Sequence, residues 1–332
     1  MTRRLLPLLA AVSTIGAGGV LLLIARRDMG LDAAAASRFS SVFIGILLEA
    51  LPYLLLGVAI SAVLQVYLSE RLLRRLLPRH PLLAVTAAGL LGVIFPLCEC
   101  GMIPAVRRLI RKGMPAYAGI AYILAGPVVN PVVFTSTWAA FGGTPQMAIA
   151  RAGLAFFVAF AIGAILWKTL RGDPLKADLA SLYASLPQEE AQERPSGSRL
   201  QSAALHATDE FFDMGKYLIL GAALATLFQT AVSRSFLEEL GGSQLLSHLF
   251  LMGIAFLLSL CSTSDAFVAA SLGGSFENGA LLAFLVFGPM IDLKSMLLLL
   301  ASFRVRVVLL VAGLAALLTL TGSWLLEAIY LP

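Results

Sequence analysis

Charge is what this chain has least of. Asp, Glu, Lys and Arg make up 13% of its 332 residues, about half the share of a soluble domain, while 59% are hydrophobic. A soluble globular domain is excluded, and a polytopic membrane protein is indicated. Cysteine is scarce as well: three residues are too few for a disulfide framework. The three histidines, His80, His206 and His248, form no ligand spacing. No Gly-x-x-x-x-Gly-Lys-Ser/Thr, nucleophile elbow or His-Glu-x-x-His occurs, so nothing supports an ATPase, a hydrolase or a bound cofactor. The formal charge of +5 comes from arginines flanking apolar segments, the ordinary loop-charge signal of membrane proteins, and not from a nucleic-acid-binding surface.

What is present is apolar sequence in long runs, at 5–24, 41–68, 82–98, 116–141, 146–167, 217–232, 245–261, 279–300 and 305–329. A membrane span takes about 20 residues, so most qualify and 82–98 is short. Segment 5–24 follows Arg3-Arg4 and lacks a small-residue cleavage site before Arg26-Arg27, so it reads as an anchoring helix. The one long polar stretch, 168–206, contains a Glu-, Gln- and Pro-rich run at 187–198 and reads as a linker.

The chain also carries an internal duplication. Tyr53–Ala59 resembles Tyr217–Ala223, Glu49 falls opposite Asp213, and Cys98 falls opposite Cys261. The segment from Gly126-Pro127 to Asn130 falls opposite that from Gly288-Pro289 to Asp292. The offset drifts only from 164 at Tyr53/Tyr217 to 163 at Cys98/Cys261 and 162 at Gly126/Gly288. Basic clusters at 71–79 and 107–112 should both be cytoplasmic, so 82–112 must enter the membrane and return, turning at Cys98–Gly101. The equivalent flanks in the second half, 233–243 and 273–279, are poor in positive charge and should be external. Equivalent segments on opposite sides make an inverted repeat. The expected fold is therefore an all-α polytopic membrane protein with an inverted internal repeat. Each half carries a re-entrant or broken-helix hairpin, and an extra transmembrane helix precedes them. The expected divisions are 1–38 for that helix, 39–170 for the first repeat, 171–206 for a cytoplasmic linker and 207–332 for the second repeat.

Irregular backbone and polar groups at membrane depth mark a pathway or binding site. The two hairpin tips would bring Cys98, Glu99 and Cys100 towards Cys261 and Asp265. Three thiols from two halves suit a soft, thiophilic metal ion or metalloid. Glu99 and Asp265 could bind a cation, take a proton during transport, or pair with an arginine. Glu49, deep in an apolar run, could relay protons. The Gly126-Pro127 and Gly288-Pro289 breaks, with Asn130 and Asp292 behind them, free carbonyls for a second coordination site. Lys294 could neutralise Asp292 or reach the cytoplasmic interface.

Three motifs in order carry a family resemblance: Pro96-x-Cys98-x-Cys100-x-x-x-Pro104, Lys112-Gly113 and Gly126-Pro127-Val-Val-Asn130-Pro131. They resemble the predicted permease family that includes the ArsP-type organoarsenical efflux permeases, over nearly the whole chain. The resemblance implies a multi-spanning permease of the cell (inner) membrane that exports small solutes, with trivalent methylated arsenicals as one branch's substrates. Cys98, Cys100, Pro104, Gly126, Pro127 and Asn130 are the matching positions. Glu99 replaces the Ser found between the cysteines in many relatives, which makes a divalent metal such as zinc a second candidate solute. The leading reading is thus a secondary transporter of a small inorganic or organometalloid solute, not an enzyme, with the lipid bilayer as solvent. The linker 171–206 reads first as a tether between the halves, with docking of a partner protein as the alternative. The competing reading is a membrane thiol–disulfide or electron-transfer protein using Cys98 and Cys100 as a redox pair.

Overall fold

The computed structural model describes residues 33–67, 78, 80–94, 99–170, 175, 199–231, 244–274 and 276–330. The run at 5–24, most of the linker, the flank at 233–243 and Cys98 lie outside the described residues. The chain divides into two compact units, Met1–Ile44 and Gly45–Pro332.

The described residues form twelve helices and no strand, apart from an isolated bridge between Leu175 and Phe303. Six precede the linker: α1 (Ala33–Tyr67), α2 (Pro81–Ile94), α3 (Glu99–Arg111), α4 (Ala116–Ala125), α5 (Pro131–Ala140) and α6 (Pro145–Thr169). Six follow it: α7 (Arg199–Ala231), α8 (Gln244–Leu258), α9 (Ser264–Leu272), α10 (Asn278–Met290), α11 (Leu293–Ser302) and α12 (Val305–Ile329). Among the described residues, four stretches are long and apolar enough to cross a membrane: Phe39–Leu56, Pro145–Thr169, Asn278–Ser302 (α10 with α11) and Val305–Ile329. Pro81–Val93, Ala116–Ala125, Met214–Leu227 and Gln244–Leu258 are apolar but shorter.

The short helices are set by local chemistry. Pro131 and Pro145 sit at first-turn positions, where a missing N–H costs nothing. Asn130 caps α5, its Oδ1 accepting from the Val132 and Val133 amides at 2.8 and 3.2 Å. Asp292 caps α11 in a reciprocal box with Ser295, whose Oγ accepts from the Asp292 amide at 3.0 Å.

Burial is graded as a bilayer requires. α10 is buried from Gly279 to Met290, and α4 from Ala118 to Ala125. α6 and α12 instead turn Phe157, Trp167, Leu309, Leu317 and Trp324 outward, apolar side chains that lipid tolerates and water does not. α4 packs between α2 and α6, and α10 between α8 and α12. The halves also touch each other: α6 packs against α12 and α10, α3 against α11, and α9 against α5.

Candidate functional site

Two of the contacts between the halves, α3 on α11 and α9 on α5, lie where helices are broken. α8 ends at Leu258 and α9 starts at Ser264. Between them Ser259 adopts a left-handed backbone, φ 47°, a conformation that disfavours a side chain and tends to occur at functional sites. Its hydroxyl is buried, donating to the Phe256 carbonyl at 3.3 Å and accepting from the Lys294 amide at 3.4 Å. The Cys261 carbonyl accepts from the Ser264 and Asp265 amides, so this residue forms the corner of the break. The Cys261 thiol is free and half-buried, with the Thr263 hydroxyl donating to it at 3.6 Å.

Asp265, in the first turn of α9, is held by Arg151 of α6. Nη2 lies 3.0 and 2.8 Å from its two carboxylate oxygens and donates to the Ser262 carbonyl at 3.0 Å, while Nη1 donates to the Thr137 hydroxyl at 2.8 Å. Arginine and carboxylate are both essentially sealed from solvent. Of the alternatives open for Asp265, pairing with an arginine is the one present. Arg151 escaped the sequence reading because its partner is 114 residues away. The available signal was a lone arginine inside the apolar run 146–167.

A second cation holds Glu99. This residue opens α3, and the Lys294 ammonium of α11 reaches its Oε1 at 3.1 Å. The same ammonium stands 3.9 Å from Asp292 Oδ2. Lys294 therefore stays inside the protein and does not extend to an interface. All three side chains are buried, and Glu99 Oε2 and Asp292 Oδ2 have no hydrogen-bond partner among the described residues. Glu99 and Asp292 each occupy a helix N-terminus. Each half thus contributes a cation that grips a carboxylate at the other half's break: Arg151 on Asp265, Lys294 on Glu99.

The structure brings together Glu99, Asp265, Asp292 and Cys261. Glu99 acts electrostatically on Cys261, Asp265 and Asp292, and so does Glu49 on Cys261, although its own side chain on α1 is exposed. Cys100 lies in the first turn of α3, next to Glu99, but its side chain, like Cys98, falls outside the described residues. Among the described residues no three His, Cys, Asp or Glu side chains stand together as ligands for a metal ion. Asn130 serves as a helix cap remote in sequence from any charged partner. Gly126 and Pro127 lie in the turn between α4 and α5, whereas Gly288 and Pro289 continue α10 as helix. A Cβ on Gly92 would fall 2.7 Å from the Gly126 Cα, so these glycines let α2 and α4 touch through backbone.

Buried ion pairs joining broken helices in an apolar bundle are an arrangement of membrane transport proteins. Residues 35–327 match the family described as predicted permease. The chain belongs to this family. It is 42% identical to UPF0718 protein YcgR of Bacillus subtilis over 291 residues, 87% of this chain and 97% of that protein. It is 32% identical over 278 residues, 84% of this chain and 91% of the relative, to a Streptococcus mutans protein named as a subunit of a two-component membrane permease complex. No solved structure matches the chain. The predicted permease family points to transport through a multi-pass membrane protein rather than to catalysis, and it lends no support to the thiol–disulfide reading.

Proposed function

We propose that this predicted permease is a secondary transporter of the cell (inner) membrane that exports a small thiophilic solute, a metal ion or a metalloid. The solute passes through a site built where the breaks of the two halves face each other. The observation that carries the reading is the buried Glu99–Lys294 pair: it joins the start of α3, flanked by Cys98 and Cys100, to the second half, where Cys261 lies within electrostatic reach of Glu99. Charge at that depth is costly unless function retains it. Cys98, Cys100 and Cys261 would ligate the solute, Glu99 and Asp265 would respond to the coupling ion, and Glu49 would lead protons to them. Asp292 would complete the polar lining, with Gly126-Pro127-Asn130 and Gly288-Pro289 shaping the adjoining breaks.

The halves are read as an inverted repeat, with 171–206 as a cytoplasmic linker. Support comes from the matching helix order and from the reciprocal packing of α3 on α11 and α9 on α5. The Streptococcus mutans relative's name suggests that a second subunit joins this permease, with the linker as its docking place.

The test is efflux of methylarsenite, zinc, cadmium and copper from a sensitive host, comparing wild type with Cys98→Ser, Cys100→Ser and Cys261→Ser. Transport of one species abolished by any of these changes is expected. Transport indifferent to all three would remove the thiol site.

A further inference from the structure

Two buried carboxylates, Glu99 and Asp292, face one ammonium, Lys294, and each keeps an oxygen without a hydrogen-bond partner among the described residues. The neighbouring pair is complete by comparison: both oxygens of Asp265 are bonded to Arg151, which also reaches Ser262 and Thr137. The two cation types differ in kind. A guanidinium in a fixed fork is suited to a permanent clamp, whereas an ammonium on a four-carbon stem is a point charge that can swing away. Counted over the five groups, three carboxylates stand against two cations, and the deficit lies on the Lys294 side.

Resting on the transporter reading above, we propose that Glu99 and Asp292 form the binding site for a transported divalent cation, and that the Lys294 ammonium is a tethered counter-ion which that cation displaces. With Lys294 in place the trio carries one net negative charge. With Lys294 withdrawn the two carboxylates present two, which a divalent ion neutralises. The Cys261 thiol nearby inclines the site towards a borderline or soft ion, since such ions accept oxygen and sulfur together. Competition between the tethered and the free cation lets the site release its cargo: once the ion leaves, Lys294 returns and prevents two bare carboxylates from facing each other in a low dielectric.

Zn2+ serves as the probe, with the full-length protein in lipid nanodiscs for binding and in proteoliposomes for flux. An ammonium that fills the site about 90% of the time weakens apparent affinity about tenfold, so Lys294→Gln should bind Zn2+ about tenfold more tightly. Its flux should fall, because release is no longer assisted. Glu99→Gln and Asp292→Asn, the latter keeping the helix cap, should each bind Zn2+ at least about tenfold more weakly than wild type, as loss of a charged ligand predicts. Should Lys294→Gln not fold, Lys294→Arg gives the opposite comparison: a forked cation bridges both carboxylates and should weaken Zn2+ binding. The double variant Glu99→Gln/Lys294→Gln leaves no unpaired partner in that pair and should bind weakly. The proposal is overturned if wild type binds no Zn2+, if Lys294→Gln binds no more tightly, or if the carboxylate variants bind as wild type does. Cysteine-dependent efflux of uncharged methylarsenite without Zn2+ binding would sink the cation site and leave the transporter reading intact. Zn2+ binding with the expected pattern but no flux of any solute would do the reverse.

Discussion

Arg151 shows how a single buried charge organises this protein. Four hydrogen bonds from one guanidinium tie α6 to α5, to the break before α9 and to Asp265. Removing one partner strands the other in a low dielectric, whereas removing both leaves an apolar contact. Arg151→Met should therefore lower stability by about 3–5 kcal/mol, and Arg151→Met/Asp265→Leu should recover most of it. Thermal unfolding of the detergent-solubilised protein reads both. Ser259 makes a second residue-scale case. Its left-handed backbone tolerates glycine but not a β-branched side chain, so Ser259→Val should cost about 1–2 kcal/mol more than Ser259→Gly.

At the scale of helices, stability depends on close approach and on caps. A Cβ at Gly92 would meet backbone at Gly126, which cannot rotate aside, so Gly92→Ala should destabilise by about 1–3 kcal/mol through overpacking of α2 on α4. Gly153 on α6 has open space around it, and Gly153→Ala should leave the melting temperature unchanged or raise it, alanine being the better helix former. Asn130→Ala should cost about 1 kcal/mol by uncapping α5, while Asn130→Asp should keep the cap. The element breaks were the most legible feature of the sequence, because Pro, Gly and polar residues interrupting apolar runs have few structural meanings. Breaks after the 82–98 and 245–261 runs were readable, and so was the division around Gly126-Pro127. Gly288-Pro289 misled, because Pro289 lies one residue before the end of α10 and the real interruption falls at Ile291 and Asp292. Asp265 and Glu99 could be nominated from depth and charge alone, but not their partners. Periodicity and spacing report on a helix's own faces, and the Arg151–Asp265 and Lys294–Glu99 pairs are made by packing between segments far apart in the chain.

For the molecule as a whole, the question is which ends of the helices share a side of the membrane. At about 1.5 Å per residue, the 14 residues of α2 and 13 of α3 are each about 20 Å long, short of a hydrocarbon core of about 30 Å. Joined end to end they could cross; folded back at residues 95–98 they return to the side they left. The same choice exists for α8 and α9. The proposed inverted repeat takes the folded-back course in both halves, entering from opposite faces, with Glu99 at one tip and Asp265 at the other. Single cysteines at His80, Lys112, Gln244 and Glu277, in a background lacking the three native cysteines, separate the two courses. An impermeant maleimide applied to intact cells should label Gln244→Cys and Glu277→Cys. It should reach His80→Cys and Lys112→Cys only after lysis. Labelling of His80→Cys and Lys112→Cys from opposite faces would make α2–α3 a single broken crossing. The paired grips on Glu99 and Asp265 would then reflect local packing, not an inverted repeat.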